Sequence, residues 1–380
     1  MKAKYIKTIG LSLLCFSSIC LYSFKTYANE LKPSSKIVNL TPKPAISKIQ
    51  LALLLDTSNS MDGLINQAKN QLWETISHLS KNVPEAEIEI AVYQYGNDGL
   101  SIYDDYIDQV LSFTNNLDKV SNALFNLRTN GGSEYCGSVI KKSTQELLWD
   151  NKATTQKVLV IAGNETFTQG KIHYSKAISK AKEKSIQVNT IYCGTEGDGI
   201  HRSWQKGAKE GNGQSFTINQ NSDIKQISTP YDDAILDCNK KINDTYVPIY
   251  EEQVSEKIMI EDNDKSQAQE QRERLVEKAL VKKNKNIYVK DTWDAVDNYT
   301  SNQGSIAAVR SSGSGEMNAK FKDKTDEEIV EIIEDIKEDR DELHSELESL
   351  EVKRQKYITE NKEVQDEETL GKQLVNAILK

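Results

Sequence analysis

The chain has 380 residues, enough for one α/β domain and a substantial additional region. Hydrophobic residues make up 37% of the sequence and charged residues 28%, which indicates a packed domain joined to a polar, solvated part. The net charge of −9 and a sequence pI of about 5.3 argue against nucleic acid or an anionic membrane as the main partner.

The N-terminal residues predict export. Basic residues precede an apolar stretch at residues 9–24, and small residues ending at Ala28 form a cleavage site. We expect a signal peptide at residues 1–28 and a short tether at residues 29–47, with a retained anchor helix as the alternative. No later apolar run is long enough to span a membrane.

Residues 48–247 alternate apolar runs with amphipathic stretches, which is typical of a doubly wound α/β domain with a mostly parallel six-stranded sheet. Several runs have no polar interruption, as in parallel strands covered on both faces. The predicted strands are residues 49–55, 88–95, 106–113, 157–162, 188–193 and 215–218. The predicted helices are residues 64–79, 117–127, 137–149, 175–184, 200–209 and 231–246. The third strand follows a short turn and is a candidate for an antiparallel edge.

The composition changes beyond the α/β region. Residues 248–300 are charged and predict a helical connector, whereas residues 301–324 are rich in Gly and Ser and predict a flexible linker. Residues 325–380 are predicted to be helical, starting at a capping box and carrying a heptad seam through residue 358. This seam predicts either a hairpin within the chain or a coiled coil that forms a homodimer through residues 325–358. The seam consists of Ile329, Ile333, Ile336, Leu343, Leu347, Leu350 and Tyr357, with Arg340 and Arg354 at two further positions.

Oxygen-bearing side chains directly follow the first predicted strand. Asp56, Ser58 and Ser60 stand at alternate positions after five apolar residues. Ligands of doubly wound sheets bind beyond the carboxyl ends of the strands, and oxygen ligands suit a hard cation such as Mg²⁺. Two hydroxyls and one carboxylate would leave the ion incompletely neutralised, so it would attract an acidic group from elsewhere. The alternative is that Asp56 or Ser58 only caps the following helix.

The motif D-x-S-x-S after a buried strand resembles the metal-ion-dependent adhesion site of von Willebrand factor type A domains, and the resemblance covers residues 48–247. It implies that Ser58 and Ser60 bind the cation directly and that Asp56 usually binds it through water. Mg²⁺ is the first expectation for the ion, with Ca²⁺ and Mn²⁺ as alternatives.

The resemblance implies two further ligands. A hydroxyl is expected from the Gly-rich loop R-T-N-G-G-S-E, where Ser133 is the matching position and Thr129 and Glu134 are alternatives. The family also has a Thr-Asp pair at the end of the fourth strand, but Ala162 and Gly163 stand there in this chain. Either Glu165 supplies the missing ligand from a slightly later position, or the site is weakened.

Four short motifs resemble an exported bacterial subgroup of these proteins: EYCG at 134–137, AGNE at 162–165, IYCG at 191–194 and NDTYVP at 243–248. The resemblance implies a periplasmic or secreted binding module, not an enzyme, whose cation engages an Asp or Glu of a protein partner. The alternative is a structural envelope scaffold with a vestigial metal site, in which the helical tail carries the interactions. A further alternative is a hydrolase in which the cation activates water. Only Glu134 and Glu165 could then act as the general base.

Three cysteines remain after the predicted signal peptide. Cys136 and Cys193 are both expected at the carboxyl-end edge of the sheet, so they could form a disulfide. Two free thiols, or a pairing that involves Cys238, are the alternatives. Trp204 follows a loop at the same edge, where it either packs in the core or borders a binding surface.

Overall fold

A computed structural model of the protein describes residues 45–219, 228–249, 254–270, 272–284, 288, 290, 292–311, 320–361 and 369–380. The predicted signal peptide and most of the predicted tether lie outside these residues. Among the described residues, no helix combines the length and the apolar character that a membrane crossing requires.

Six strands form one sheet in the order β3-β2-β1-β4-β5-β6. Neighbouring strands are parallel except for β2 and β3, which confirms the predicted antiparallel edge. The central strands are buried along nearly their whole length because helices cover both faces of the sheet. The strands are β1 (Lys48–Asp56), β2 (Glu87–Tyr95), β3 (Ile107–Thr114), β4 (Thr155–Gly163), β5 (Ile186–Cys193) and β6 (Asn212–Ile218).

Two apolar clusters lie on the two faces of this sheet. Leu53 belongs to one cluster and Leu54 to the other, because successive side chains of a strand point to opposite faces. Trp204 is fully buried in the second cluster, so its expected core packing is confirmed. The helices that cover the sheet are α1 (Ile65–Asn82), α2 (Leu117–Phe125), α3 (Cys136–Glu146), α4 (Tyr174–Glu183), α5 (Gly199–Glu210) and α6 (Asp232–Asp244).

The strand order reverses at β1, which lies between β2 and β4. In parallel sheets such a reversal opens a crevice beyond the carboxyl ends of the two diverging strands. Asp56 is the last residue of β1 and pairs with Tyr95, while the preceding Leu55 pairs with Ala162. The sheet therefore places the Asp56 motif at the crevice, as the sequence predicts.

The remaining helices pack against the α/β region, so Ala45–Lys380 is one compact unit. The last helix contacts α1, where Gly371 N donates to Gln71 Oε1 (3.1 Å) and Thr369 Oγ1 donates to Glu74 Oε1 (2.6 Å). The helices of this region are α7 (Val254–Glu270), α8 (Arg272–Val281), α9 (Ala295–Ser301), α10 (Ala307–Ser311), α11 (Asp326–Asn361) and α12 (Leu370–Leu379).

The predicted flexible linker at residues 301–324 is wrong over its described parts. Val309 and Phe321 are buried in a third apolar cluster together with Ile329. The Gly/Ser-rich composition concealed these apolar side chains, which find partners on α9 and α11. Residues 312–319 lie outside the described part of the chain.

The heptad seam of α11 packs inside the chain. Ile333 and Leu347 are fully buried, and Leu350 is nearly so. The seam contacts α6, α8 and α9, whereas α12 packs chiefly on α1, so the two helices do not pair as the predicted hairpin. The protein's own helices cover most of the apolar face that a second chain would need, and the homodimer through residues 325–358 stays a prediction.

Candidate functional site

The Asp56 carboxylate lies at the bottom of the crevice beyond β1. Its side chain is fully buried, and Oδ1 accepts a hydrogen bond from Ser58 N at 2.8 Å. Its second oxygen, Oδ2, is buried and makes no hydrogen bond of ordinary geometry within the described structure. A buried polar atom without a partner is costly, so this oxygen requires an explanation.

The two predicted serine ligands converge beside this carboxylate. A short 3-10 turn at Asn59–Met61 brings Ser58 Oγ within 2.9 Å of Ser60 Oγ. Ser58 is buried, whereas Ser60 is exposed, so the pair leads from the carboxylate towards solvent. The capping alternative is wrong, because α1 begins after Leu64 and has no side-chain cap.

The Gly-rich loop lies against the loop that carries the serines. Two backbone hydrogen bonds join them, from Asn59 N to Gly131 O (2.9 Å) and from Asn130 N to Thr57 O (3.0 Å). The predicted approach of the two loops is thus present in the structure.

Among the candidates in this loop, Glu134 lies close to the carboxylate of β1. A Cβ placed on Gly96 would lie 2.9 Å from Glu134 Cγ and 3.0 Å from Asp56 Oδ1, so both groups border one small space. Thr129 instead donates to Asp62, which removes it from the site. Ser133 is half-buried directly before Glu134, and its role as a ligand stays a prediction.

The end of β4 contributes Asn164, a residue that the sequence analysis did not choose. Ser60 Oγ donates to Asn164 Oδ1 (3.0 Å), and Asn164 Nδ2 donates back to Ser60 O (2.8 Å). The sequence feature that could have identified Asn164 is its position directly after Gly163, which stands at the place of the family's aspartate. Glu165 points its backbone oxygen at Trp204 Nε1 (2.8 Å), and its role as a ligand stays a prediction.

The electrostatics of the site are acidic. Burial raises the pKa of Asp56 to about 7, Ser58 opposes this shift through its hydrogen bonds, and the Glu134 charge adds to it. The Asn164 backbone N–H opposes it to a smaller extent. Burial also raises the pKa of Glu134, with the Glu165 charge acting in the same direction. The site therefore concentrates carboxylates that disfavour one another's charge.

The crevice has no room for a larger side chain at the end of β4. A Cβ on Gly163 would lie 2.5 Å from the Tyr95 hydroxyl and 3.0 Å from Asp56 Oδ2. The family's aspartate could not stand at Gly163 in this structure without displacing Tyr95 or Asp56. With Tyr95 and Asp56 in these positions, glycine is the residue that fits at the end of β4.

The donor set fits a hard divalent cation. It consists of oxygen atoms only, from two carboxylates, two hydroxyls and one amide, and oxygen ligands are those that Mg²⁺ and Ca²⁺ prefer. The unpartnered Asp56 Oδ2 is the atom that such an ion would satisfy. Among the described residues, no group of three or more His, Cys, Asp or Glu side chains could hold a metal, so neutral oxygens are needed here.

The predicted Cys136–Cys193 disulfide is wrong in this structure, where both residues are buried free thiols. Cys136 belongs to one apolar cluster and Cys193 to the other, so the sheet lies between them. Sharing an edge of the sheet did not imply sharing a face. Cys238 is also a free thiol, and its Sγ donates to Leu343 O (3.2 Å) within the core.

Residues 50–230 match the family model of the von Willebrand factor type A domain. With the strand order described above, this match gives the α/β region the fold of that domain. Many domains of this family bind partners through a metal-ion-dependent adhesion site. The narrower resemblance to an exported bacterial subgroup stays a prediction.

Solved structures that are similar to this chain include two of one mussel protein and one of a bacterial protein. Proximal thread matrix protein 1 from the mussel byssus is 14% identical, with 45% of this chain and 42% of that chain covered and a TM-score of 0.36. A second structure of that protein, with a zinc-occupied adhesion motif, is 14% identical over 46% and 42% of the two chains, with a TM-score of 0.36. A von Willebrand factor type A protein from Catenulispora acidiphila is 16% identical over 45% and 39%, with a TM-score of 0.35.

The chain spans less than half the length of the mussel protein and of the Catenulispora protein. No curated protein matches it.

Proposed function

We propose that this protein is an exported binding module, in which a divalent cation at the β1 crevice engages an Asp or Glu of a protein partner. The observation that carries this proposal is the Asp56 carboxylate, which is fully buried, has one oxygen without a partner and adjoins neutral oxygen donors. Mg²⁺ is the proposed ion, with Ca²⁺ and Mn²⁺ as alternatives.

The residues of the site run from a buried carboxylate to a solvent-exposed side. Ser58 N holds one oxygen of Asp56, which leaves the other free to face an ion, and the buried Ser58 hydroxyl lies beside it. Ser60 and Asn164 are bonded to each other on the solvent side. A bound cation would supply positive charge that these neutral oxygens do not fully offset, so an acidic group from a partner would be attracted to the open side.

A binding role is favoured over an enzymatic one by the surroundings of Glu134, one of the two acids that could act as a general base. Glu134 is buried. With the Gln169 amide in the orientation that satisfies both its oxygen and its nitrogen, this nitrogen donates to Glu134 Oε2 (2.9 Å). A general base must reach a substrate proton, and a buried, hydrogen-bonded carboxylate is poorly placed to do so. Export is supported by the N-terminal sequence pattern, whose residues lie outside the described structure.

The proposal is tested by a double variant that removes both serine hydroxyls. The chain carrying Ser58→Ala and Ser60→Ala should lose the rise in melting temperature that Mg²⁺ gives the wild type, because its ligands are gone. Isothermal titration calorimetry with MgCl₂ on the full chain measures the same loss as binding heat.

A matched control exists at the opposite edge of the sheet, where Ser47 Oγ donates to Thr154 Oγ1 (2.8 Å). The variant with Ser47→Ala and Thr154→Ala also removes a hydroxyl pair but should keep the full response to Mg²⁺. If the Ser58/Ser60 variant responds to Mg²⁺ as the wild type does, the metal-dependent function is wrong.

A second candidate is the scaffold with a vestigial site, which is favoured by Ala162 and Gly163 in place of the family's Thr-Asp pair. Its interactions would use the exposed acids of α11, since the apolar seam is covered. Replacing Glu334, Glu338 and Glu342 by Gln should then abolish capture of a partner while EDTA has no effect. Deleting α11 would not test this, because its buried residues hold the fold together.

A further inference from the structure

Two large apolar side chains project from the connection between β2 and β3. Tyr103 is 97% exposed and Ile102 is 60% exposed. Five large apolar side chains are strongly exposed among the described residues, and only these two are adjacent in the chain. Single exposed apolar residues are ordinary on a protein surface, but an adjacent pair held out from the core is not explained by folding.

The connection between β2 and β3 has a defined, hydrogen-bonded conformation. Residues Ile102–Asp104 form a short 3-10 turn, and Tyr106 N donates to Ser101 O (3.0 Å) to close the loop. Asp105 and Tyr106 have φ angles of 56° and 55°, which lie in the left-handed region that costs a residue with a side chain about 1–2 kcal/mol. The fold maintains this strained conformation directly after the exposed pair.

Side chains of α3 hold the same loop. Ser138 Oγ donates to Asp105 Oδ2 (3.0 Å), and Lys142 Nζ donates to Asp104 Oδ1 (3.3 Å). Helix α3 begins two residues after Glu134, so one rigid element positions both the acid at the site and the loop that carries Tyr103.

The start of the connection is bonded to both loops of the proposed metal site. Asn97 Nδ2 donates to Arg128 O (3.0 Å), at the start of the Gly-rich loop, and at a longer distance to Thr57 O (3.4 Å), beside Asp56. Asp98 N also donates to Asn130 O (3.1 Å). The connection that carries the exposed pair therefore begins beside the crevice, at the carboxyl end of β2, on the side from which a metal-bound partner would approach.

We infer that Ile102 and Tyr103 form a second contact point for the partner and determine which acidic partner is accepted. This inference rests on the proposed function. The partner it fits presents an Asp or Glu beside an apolar surface: the acid reaches the cation, and the apolar surface covers Tyr103. An exposed tyrosine is suited to this role, because it buries a large area on binding and has few side-chain torsions to restrict.

The test uses a phage-displayed library of short random peptides with one fixed aspartate, selected on the full wild-type chain in Mg²⁺ and eluted with EDTA. The best binders are synthesised, and their affinities are measured for the wild type and for the variant with Ile102→Ala and Tyr103→Ala. Leu148→Ala is the matched control, because Leu148 is 89% exposed and its carbonyl accepts from Gln50 Nε2 at the amino end of β1, far from the crevice.

We expect the selected peptides to share an apolar residue near the aspartate and to bind the loop variant at least tenfold more weakly, with Leu148→Ala unchanged. Replacing that apolar residue by Ala should weaken binding to the wild type but not to the loop variant. If EDTA-eluted peptides bind the loop variant as tightly as the wild type, the inference is overturned while the metal-dependent function stands. If no peptide is eluted by EDTA from the wild type, the proposed function fails and the inference fails with it.

Discussion

Two aspartates of this protein are equally buried, but their pKa values are shifted in opposite directions. Asp118 in α2 and Asp56 at the end of β1 both have a relative exposure of 0%. The pKa of Asp56 is raised to about 7, whereas the pKa of Asp118 lies well below its ordinary value. Burial raises the pKa of both carboxyls, so the difference comes from the charges around them.

Asp118 receives its cations from the helical region. Lys290 Nζ donates to Asp118 Oδ2 at 2.7 Å, and Lys278 Nζ lies 2.9 Å from Oδ1 in an ion pair. Lys278 also donates to Asp264 (2.6 Å), which accepts a further hydrogen bond from Asn239 (2.9 Å). These lysines outweigh the effect of burial, and the resulting network joins α2 to α7 and α8.

Asp56 has no such lysine among the charges that act most strongly on it; the strongest is the Glu134 carboxylate. A buried carboxylate that is paired with lysines of the same chain stabilises the fold, since removing either partner would leave an unpaired buried charge. A buried acid beside another acid and neutral oxygens lacks the cation that would stabilise it. We therefore infer that the Asp118 network is structural and that the Asp56 site can accept an external cation.

The largest expected effect follows from breaking the satisfied network. Asp118→Ala leaves Lys278 and Lys290 buried with fewer partners, which should lower the free energy of unfolding by about 3–5 kcal/mol. Urea denaturation followed by circular dichroism measures this loss.

The control for this variant is Asp104→Asn, which removes a partly exposed acid that pairs with Lys142 at 3.3 Å. A solvent-exposed ion pair contributes little to stability, so this variant should unfold nearly as the wild type does. Equal effects from Asp118→Ala and Asp104→Asn would contradict the structural role of the network.

A smaller effect of opposite sign is expected at Asp56, in the absence of divalent cations. Because its folded pKa is raised, the folded state holds the proton more tightly than the unfolded state does. This contribution to stability is fully present below about pH 4 and is lost as the pH rises to about 7. Asp56→Asn removes the ionisation and should stabilise the chain by about 1–3 kcal/mol at about pH 8, and by much less at about pH 5.

Urea denaturation of the Asp56→Asn variant and of the wild type, in EDTA and at both pH values, gives this difference directly. Other titrating groups are shared by the two proteins and largely cancel. Adding Mg²⁺ should stabilise the wild type alone. A variant that is less stable than the wild type at the higher pH would show that Asp56 has a partner in the protein itself.

The smallest expected effect sharpens the comparison by adding charge to the open site. Asn164→Asp would place a carboxylate against Ser60 in place of a neutral amide. We expect about tenfold tighter Mg²⁺ binding, equivalent to about 1.4 kcal/mol, because the added charge attracts the ion. Calorimetric titration measures it, and Asn302→Asp on the exposed turn after α9 serves as a control with the same charge change. Unchanged affinity would place Asn164 outside the coordination of the ion.

Local sequence patterns predicted the fold and the position of the site well. The uninterrupted apolar run of β1 followed by Asp56, Ser58 and Ser60 is a continuous segment, so its strand, its turn and the convergence of its hydroxyls could be read directly. The Gly-rich loop was also placed correctly. The contact between Ser60 and Asn164 at the end of β4 was not predicted, because it joins residues 104 positions apart and the direction of a side chain has no sequence signature.

The sequence by itself determined the alternation of strands and helices, the antiparallel edge and the oxygen-rich motif, because each depends on neighbours within a few residues. Only the tertiary structure decided which buried acid has its cations, which face each cysteine occupies and where the heptad seam packs. Lys290 meets Asp118 across 172 residues, and Arg340 meets Asp294 across 46. Such pairings are selected by the packing of whole helices, which no local spacing of residues specifies.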